Sequence, residues 1–277
     1  MNIGVIIQAR TTSVRFPKKV LQELPYGSGI TVLEQVIRRV KKAQSIHTIV
    51  VATTTNAEDE QITLLAKKEN VAFYIGSRDN VLERYYEAAK ENKIDIIIRI
   101  TSDCPCIDPQ ILDEFVKEHV NIGADYTYGN PFKRYLHGLD VEVINIQALE
   151  EAYHNSTEVY EKEHVTPYIY RSHPEKFIIN KINAPDDFSD SSIRITLDTK
   201  EDYALLCAVY DYLYPENNFF DVKAIVNLFK QKPWLKYINS SIIQKKIFNT
   251  LAEEIEEAIK VLKLQDLNKA SDLLKNK

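Results

Sequence analysis

Residues 3–21 read IGVIIQARTTSVRFPKKVL. The opening part, Gly4-Val5-Ile6-Ile7, is a short uninterrupted apolar run, the pattern of a strand buried on both faces of a parallel sheet. It gives way without a turn dipeptide to a polar segment. Arg10 to Val20 carries four cations (Arg10, Arg15, Lys18, Lys19), three hydroxyls (Thr11, Thr12, Ser13) and no acid, in a chain of 277 residues with a formal net charge of −5. A buried strand that ends in such a loop can wrap it around phosphates: guanidinium forks and an ammonium neutralise charge, and hydroxyls and backbone N–H groups supply fixed donors. The same composition suits a solvated basic loop, because runs of like charge usually face water. Pro17 stiffens the exit.

Outward from this stretch, strand and helix patterns alternate. Thr31 opens a helix whose Val32, Leu33, Val36, Ile37 and Val40 fall at helical spacing. Thr48–Thr53 reads as a buried strand, Asp59–Glu69 as a helix, Val71–Ile75 as a strand and Asn80–Asn92 as a helix. Ile94–Ile100, IDIIIRI, is the strongest strand pattern, and Pro109–His119 continues as a helix. This order implies parallel strands, right-handed crossovers and ligands at the strands' carboxyl ends. From Asp125 the pattern changes: short strands at 125–128 and 139–144 flank a loop, Pro131–Gly138, that holds Lys133, Arg134, Tyr135 and His137 and suits an acceptor-binding flap. A helix opening within Glu161–Pro167, strands at Lys176–Asn183 and Arg194–Asp198, and helices at Lys200–Leu213, Asp221–Lys230, about 242–264 and Leu267–Leu274 complete the expectation. The amphipathic tail places Ile243, Ile247, Leu251, Ile255, Ile259 and Leu262 near helical spacing, enough to dock on the body or on a second subunit. The fold class is therefore α/β, a three-layer sandwich around a mostly parallel sheet in residues 1–240, with a small β insertion at about 125–145 and a helical extension at 241–277.

No apolar run approaches the ~18–20 residues of a membrane span, and the N-terminal apolar run is followed, not preceded, by arginines, unlike a signal peptide. A cytoplasmic address is expected. The mild net acidity argues against a general nucleic-acid binder, which would carry a basic stripe. Cys104 and Cys106 form a C-P-C too close for an easy disulfide and without the second pair of a zinc site, so these two and Cys207 are expected as reduced thiols.

The segment Gln8-Ala9-Arg10-Thr11-Thr12-Ser13-Val14-Arg15-Phe16-Pro17-Lys18-Lys19 resembles the signature loop of the sugar cytidylyltransferases, roughly Q-A-R-x-G-S-x-R-L-P-x-K, a group that includes CMP-sialate and CMP-KDO synthetases and SpsF-type spore-coat polysaccharide proteins. Thr12 and Lys18 stand where that pattern usually has glycine. Arg99–Pro105 resembles a second block of the group, R-I-T-x-D-C-P, and Arg194–Asp202 a third, R-x-T-x-D-T-x-x-D, while Gly138–Val143 is similar to the SpsF-type pattern. On the residues alone, Asp103 is either a turn cap or a metal-holding carboxylate, Asp140 and Glu142 are either a solvated strand face or a binding pair, and Thr199 with Asp202 is a helix-capping pair.

The resemblance implies a nucleotide-diphospho-sugar-transferase-like fold and attack by an acceptor oxygen on the α-phosphate of CTP. It implies catalytic roles for Arg10, Lys19 and Asp103, and Mg²⁺ held by Asp103 and Asp198. Nucleotide binding would fall to Ala9, Arg10, Ser13, Arg15, Lys19, Ala52, Thr53, Ser77 and Ser102, and acceptor binding to Arg99, Arg134, His137, Asp140 and Glu142. The expected partners are CTP and a small anionic acceptor, a sugar acid or a phosphorylated small molecule for a surface glycan, with no nucleic acid, no membrane and a homodimeric assembly. The alternatives are a nucleotide-sugar glycosyltransferase, which normally carries a D-x-D where this chain has Asp103-Cys104-Pro105, and a nucleotide-binding scaffold without activity.

Overall fold

The computed structural model describes residues 1–242 and 250–275. The chain divides into two compact units, Met1–Ser240 and Ser241–Lys277. The first is built on one sheet of seven strands: β1 (Ile3–Gln8), β2 (Thr48–Thr54), β3 (Ala72–Gly76), β4 (Ile96–Thr101), β5 (Tyr126–Gly129), β6 (Glu142–Asn145) and β7 (Ile179–Ile182). Their order is β3-β2-β1-β4-β6-β5-β7, and β6 alone among them runs against its neighbours. The helices of this unit are α1 (Val32–Val40), α2 (Glu60–Lys68), α3 (Val81–Glu91), α4 (Pro109–Ile122), α5 (Ile146–Asn155), α6 (Val159–His164), α7 (Lys200–Leu213) and α8 (Val222–Gln231).

Side chains alternate across a strand, so each central strand feeds both helical layers. Val5, Ile7, Val51 and Ile98 pack on one side with α1, α4, α7 and α8. Ile6, Val50, Ala52, Ile97 and Ile144 pack on the other with α3 and α5. This double burial is why β1 reads as a continuous apolar run and β4 as one interrupted only by Arg99. The helix starts carry their own chemistry: Thr31 and Glu34 form a reciprocal cap on α1, Thr199 and Asp202 on α7, and Asp108 with Pro109 opens α4, which Gly123 ends in the left-handed region.

The sandwich and the mostly parallel sheet are as the sequence implies, and several local readings differ. The strands around 125–145 pair antiparallel inside the main sheet, so β5 and β6 are part of the platform. Arg194–Asp198 is not a strand. Only Arg194 bridges, to His137, and the backbone donors go to two separate loops, Ile195 N–H to His137 O and Leu197 N–H to Asp103 O, each at 2.8 Å. The helix expected within Glu161–Pro167 ends at His164, because Val165 takes a positive φ of 74° and Pro167 lacks the N–H to continue it. Helix α5 follows β6 directly, with no turn signal between them.

In the second unit, α9 (Leu251–Leu264) starts at a Thr250/Glu253 capping box, and α10 (Asn268–Lys275) packs against it. The expected apolar positions Ile243 and Ile247 lie outside the described residues. No helix among the described residues is long and apolar enough to cross a membrane.

Candidate active site

Strand β1 lies between β2 and β4, and the chain leaves it first toward β2 and later returns on the other side as β4. Loops after β1 and β4 therefore diverge at their carboxyl ends and leave a crevice, the usual ligand site of such sheets. The basic loop fills one side. The Thr11 carbonyl accepts from Ser13 N–H at 3.0 Å and Lys18 N–H at 2.8 Å, closing the segment on itself. Fully buried Asp59 anchors its base: Thr11 donates to Asp59 Oδ1 from both its N–H and its hydroxyl at 2.7 Å, and the Thr54 hydroxyl donates to Oδ2. Of the two positions that depart from glycine, Lys18 does take a left-handed φ of 57°, whereas Thr12 is not among the residues of positive φ. Arg10 is exposed at the loop's entry.

Lys19, at the loop's exit, points to the second half of the site. Its ammonium donates to Asp103 Oδ2 at 2.8 Å, Asp198 Oδ1 at 2.9 Å and the Leu197 carbonyl at 2.7 Å. Arg15 reaches Asp198 Oδ1 at 2.9 Å, and Arg194 Nη2 reaches Asp198 Oδ2 at 2.7 Å. Asp202, with no exposed surface, holds Arg194 in a two-pronged grip, Nε to Oδ1 at 3.0 Å and Nη2 to Oδ2 at 3.1 Å. Asn239 braces both by donating to Asp202 Oδ1 at 2.8 Å and to the Arg194 carbonyl at 3.0 Å. The two aspartate loops are also tied through the Asp103 carbonyl, which accepts from Leu197 N–H and from the Thr196 hydroxyl. Burial opposes the charge on Asp198, but Lys19, Arg194 and Arg15 outweigh it and hold the carboxyl far below its ordinary pKa. Burial likewise opposes the Lys19 charge, and Asp103 and Asp198 keep its pKa above the usual value.

The neighbouring loop is set by Gly138, at a φ of 112°, where an added Cβ would lie 2.7 Å from the Ile195 carbonyl carbon and oxygen. Both atoms belong to the backbone that carries Arg194, so Gly138→Ala is expected to destabilise the fold by about 1–3 kcal/mol, measured as a lower urea midpoint. His137 Nδ1 lies 3.3 Å from Arg194 Nη1. Burial lowers the His137 pKa, Asp140 opposes that shift, and Arg194 and Arg134 add to it. Asp140 lies ahead of β6 and accepts from Gly138 N–H at 3.2 Å.

Arg99 and Glu142 face each other on β4 and β6, 2.8 Å apart, and Arg99 lies over the Tyr85 ring. Arg99 Nε and Glu142 Oε2 are buried without a partner. As an ion pair they offer hydrogen bonds in place of a free cation. On the β2 side, the Ala9 N–H is taken by the Ala52 carbonyl at 3.0 Å and the Thr53 hydroxyl is buried without a partner; on the β4 side, the Ser102 N–H is taken by Gln8 O at 3.1 Å. Ser77 accepts from Asn80 N–H at its hydroxyl and from Arg84 Nη1 at its carbonyl. The structure thus joins Arg15, Lys19, Asp103 and Asp198 in one cluster. Arg194, Asp202, Asn239, Asp59 and Arg84 are the residues that sequence reasoning did not assign to a site. Arg194 and Asp202 flank Asp198 within a block already singled out, and the signal for them was that shared block. All three cysteines are free thiols, and burial pushes Cys106 up to about 12.

Whether Mg²⁺ fits is a question of donors. Carboxylate oxygens suit a hard cation, which commonly takes one or two carboxylates and completes its shell with phosphate oxygens and water. Asp103 and Asp198 are such a pair, converging on one point that a cation already holds. Among the described residues no three acids, histidines or cysteines gather to form an all-protein metal cage.

A family model described as cytidylyltransferase matches residues 4–242. An uncharacterised protein of Methanocaldococcus jannaschii is 36% identical over 249 residues, 88% of this chain and 97% of that one. The spore coat polysaccharide biosynthesis protein SpsF of Bacillus subtilis is 35% identical over 224 residues, 76% of this chain and 86% of that one. The solved structure of a cytidylyltransferase from Leptospira borgpetersenii serovar Hardjo-bovis superposes with a TM-score of 0.78 at 33% identity, covering 88% of this chain and all of that one.

Proposed function

The chain belongs to the cytidylyltransferase family, and from that premise we propose that it moves CMP from CTP to a sugar acid or a phosphorylated small molecule destined for a surface glycan. The observation that carries the reading is the Lys19–Asp103–Asp198 cluster beside the basic loop, at the carboxyl ends of β1 and β4. An acceptor oxygen bonds to the α-phosphorus while the bond to the oxygen bridging the α- and β-phosphates breaks, and pyrophosphate leaves. Such a transfer asks the protein mainly for positioning and for cations where negative charge accumulates. Arg10 and Arg15 serve the phosphates from the loop, and Lys19 serves the departing pyrophosphate. Asp103 and Asp198 would hold Mg²⁺, which supplies Lewis-acid polarisation of the α-phosphate when bound. Ala9, Ser13, Ala52, Thr53, Ser77 and Ser102, at the ends of the strands and in the basic loop, take the nucleoside.

For the acceptor, pairing with Glu142 removes Arg99 as a free cation, and Lys133 is engaged by Asp186 at 2.6 Å. Arg134, beside His137, is then the cation for an acceptor carboxylate or phosphate, and the Arg99–Glu142 pair, with Asp140 nearby in sequence, reads its hydroxyls. The name of the SpsF relative supports a polysaccharide pathway. The test is pyrophosphate release from each of the four NTPs with Mg²⁺, against 2-keto sugar acids, sugar phosphates and phosphorylated polyols. Release with CTP and one acceptor class is expected. Release with a purine nucleotide alone, or no CTP binding by calorimetry, would overturn the reading.

A further inference from the structure

An ammonium group has three N–H donors, and in this structure all three on Lys19 are committed: to Asp103 Oδ2, Asp198 Oδ1 and the Leu197 carbonyl. The lysine side chain is only 11% exposed, so it is a built part of the cluster and not a surface group resting there. It sits where the two carboxylates converge, the point a divalent cation would need. The charges around it also balance. Asp103, Asp198 and Asp202 face Lys19, Arg15 and Arg194, so these six ion-paired side chains carry no net charge between them. Both oxygens of Asp198 already accept from cations, Oδ1 from Lys19 and Arg15 and Oδ2 from Arg194. A bare divalent ion meeting this cluster has to displace an ammonium held by three oxygens, without any excess negative charge to draw it in.

We infer that Lys19 is an internal counter-ion that keeps divalent metal off Asp103 and Asp198 until the phosphates of a nucleotide draw its ammonium away. The inference rests on the reading of the site as a nucleotidyl-transfer site and adds an order to it. Phosphate oxygens compete with the carboxylates for Lys19 and Arg15. When these two cations turn to the phosphates, the carboxylates are left with Arg194 alone, an excess of negative charge appears, and the metal has a place. Metal and nucleotide then bind with positive coupling, each raising the other's affinity by the same factor.

The test uses the full chain without nucleotide and Mn²⁺ as the probe, free Mn²⁺ being read by electron paramagnetic resonance at low ionic strength. Lys19→Met removes the competing charge and is expected to bind one Mn²⁺ at least about tenfold more tightly than the unsubstituted chain. Lys19→Arg, which keeps the charge, is expected to stay near the unsubstituted affinity, and Lys19→Met combined with Asp103→Asn is expected to lose the gain. Equal Mn²⁺ affinity in the unsubstituted chain and Lys19→Met, or a gain that survives Asp103→Asn, overturns the inference. A second measurement needs no variant. Saturating MnCl₂ should expose Lys19 and raise its acetylation rate severalfold, followed by mass spectrometry, and an unchanged rate at saturation overturns the inference equally. None of these readings involves CTP turnover. A chain that shows the gain yet releases no pyrophosphate would retire the cytidylyl-transfer reading alone, and one that turns over CTP without the gain would retire the counter-ion role alone.

Discussion

Asp103→Asn is expected to slow CTP-dependent pyrophosphate release by about 10²–10³-fold, with CTP affinity, measured without divalent metal, changing by no more than about threefold. Asparagine keeps the shape of the side chain, and the backbone around it is held independently, through the Asp103 carbonyl that accepts from Leu197 and Thr196. Lys19 retains Asp198 and the Leu197 carbonyl as partners. The substitution therefore removes one negative charge from the point where Lys19 and a metal are positioned, and little else. A coupled pyrophosphate assay gives the rate and calorimetry with CTP gives the affinity. Turnover within threefold of the unsubstituted enzyme would take Asp103 out of the reaction.

The second large effect is on stability. Asp202→Ala is expected to cost about 3 kcal/mol, because it removes one of the two carboxylates that pair with a buried guanidinium and leaves Arg194 with Asp198 alone. Arg194 is 7% exposed and takes two contacts from Asp202. The same carboxylate accepts from Asp198 N–H at 2.9 Å, Thr199 N–H at 3.1 Å and Asn239 at 2.8 Å. Its loss removes the carboxylate half of the α7 cap, the Thr199 hydroxyl still accepting from the N–H of residue 202, and lets Arg194 and Asp198 move together, so activity should fall alongside stability. Urea denaturation at constant slope reads the cost as a shift in midpoint. A loss under about 1 kcal/mol would show that water or a rearranged Asp198 replaces the grip.

What could be read in advance, and what could not, follows from how far apart the deciding partners lie. Strands β1 and β4 announced themselves because burial on both faces demands a predominantly apolar run, broken in β4 only by Arg99, and the switch-point crevice followed from the alternation of strands and helices. Asp202 was legible only as a helix cap with Thr199, a local pattern; its grip on Arg194 and its contact with Asn239 come from tertiary approach. Arg194–Asp198 alternates like a strand, yet its backbone partners are the loops at His137 and Asp103, which no periodicity specifies. Arg99 read as an available cation because Glu142, its partner across the β4–β6 register, is 43 positions away. Helix α5 was hidden by the absence of any glycine or proline between it and β6.

Asn239, which braces Arg194 and Asp202, stands at the very end of the first unit. Seen from the ribosome, the residues of the site emerge in an unequal order: Lys19 and Asp103 leave the exit tunnel long before Asp198, Asp202 and Asn239 are made. A growing chain can lay down β1 to β4, held by local βα contacts, while the cluster beside them still lacks half of its charges. The nascent polypeptide thus carries an incomplete charge cluster through much of its synthesis, and the Asn239 brace on Arg194 and Asp202 joins it only when the last few residues of this unit are released.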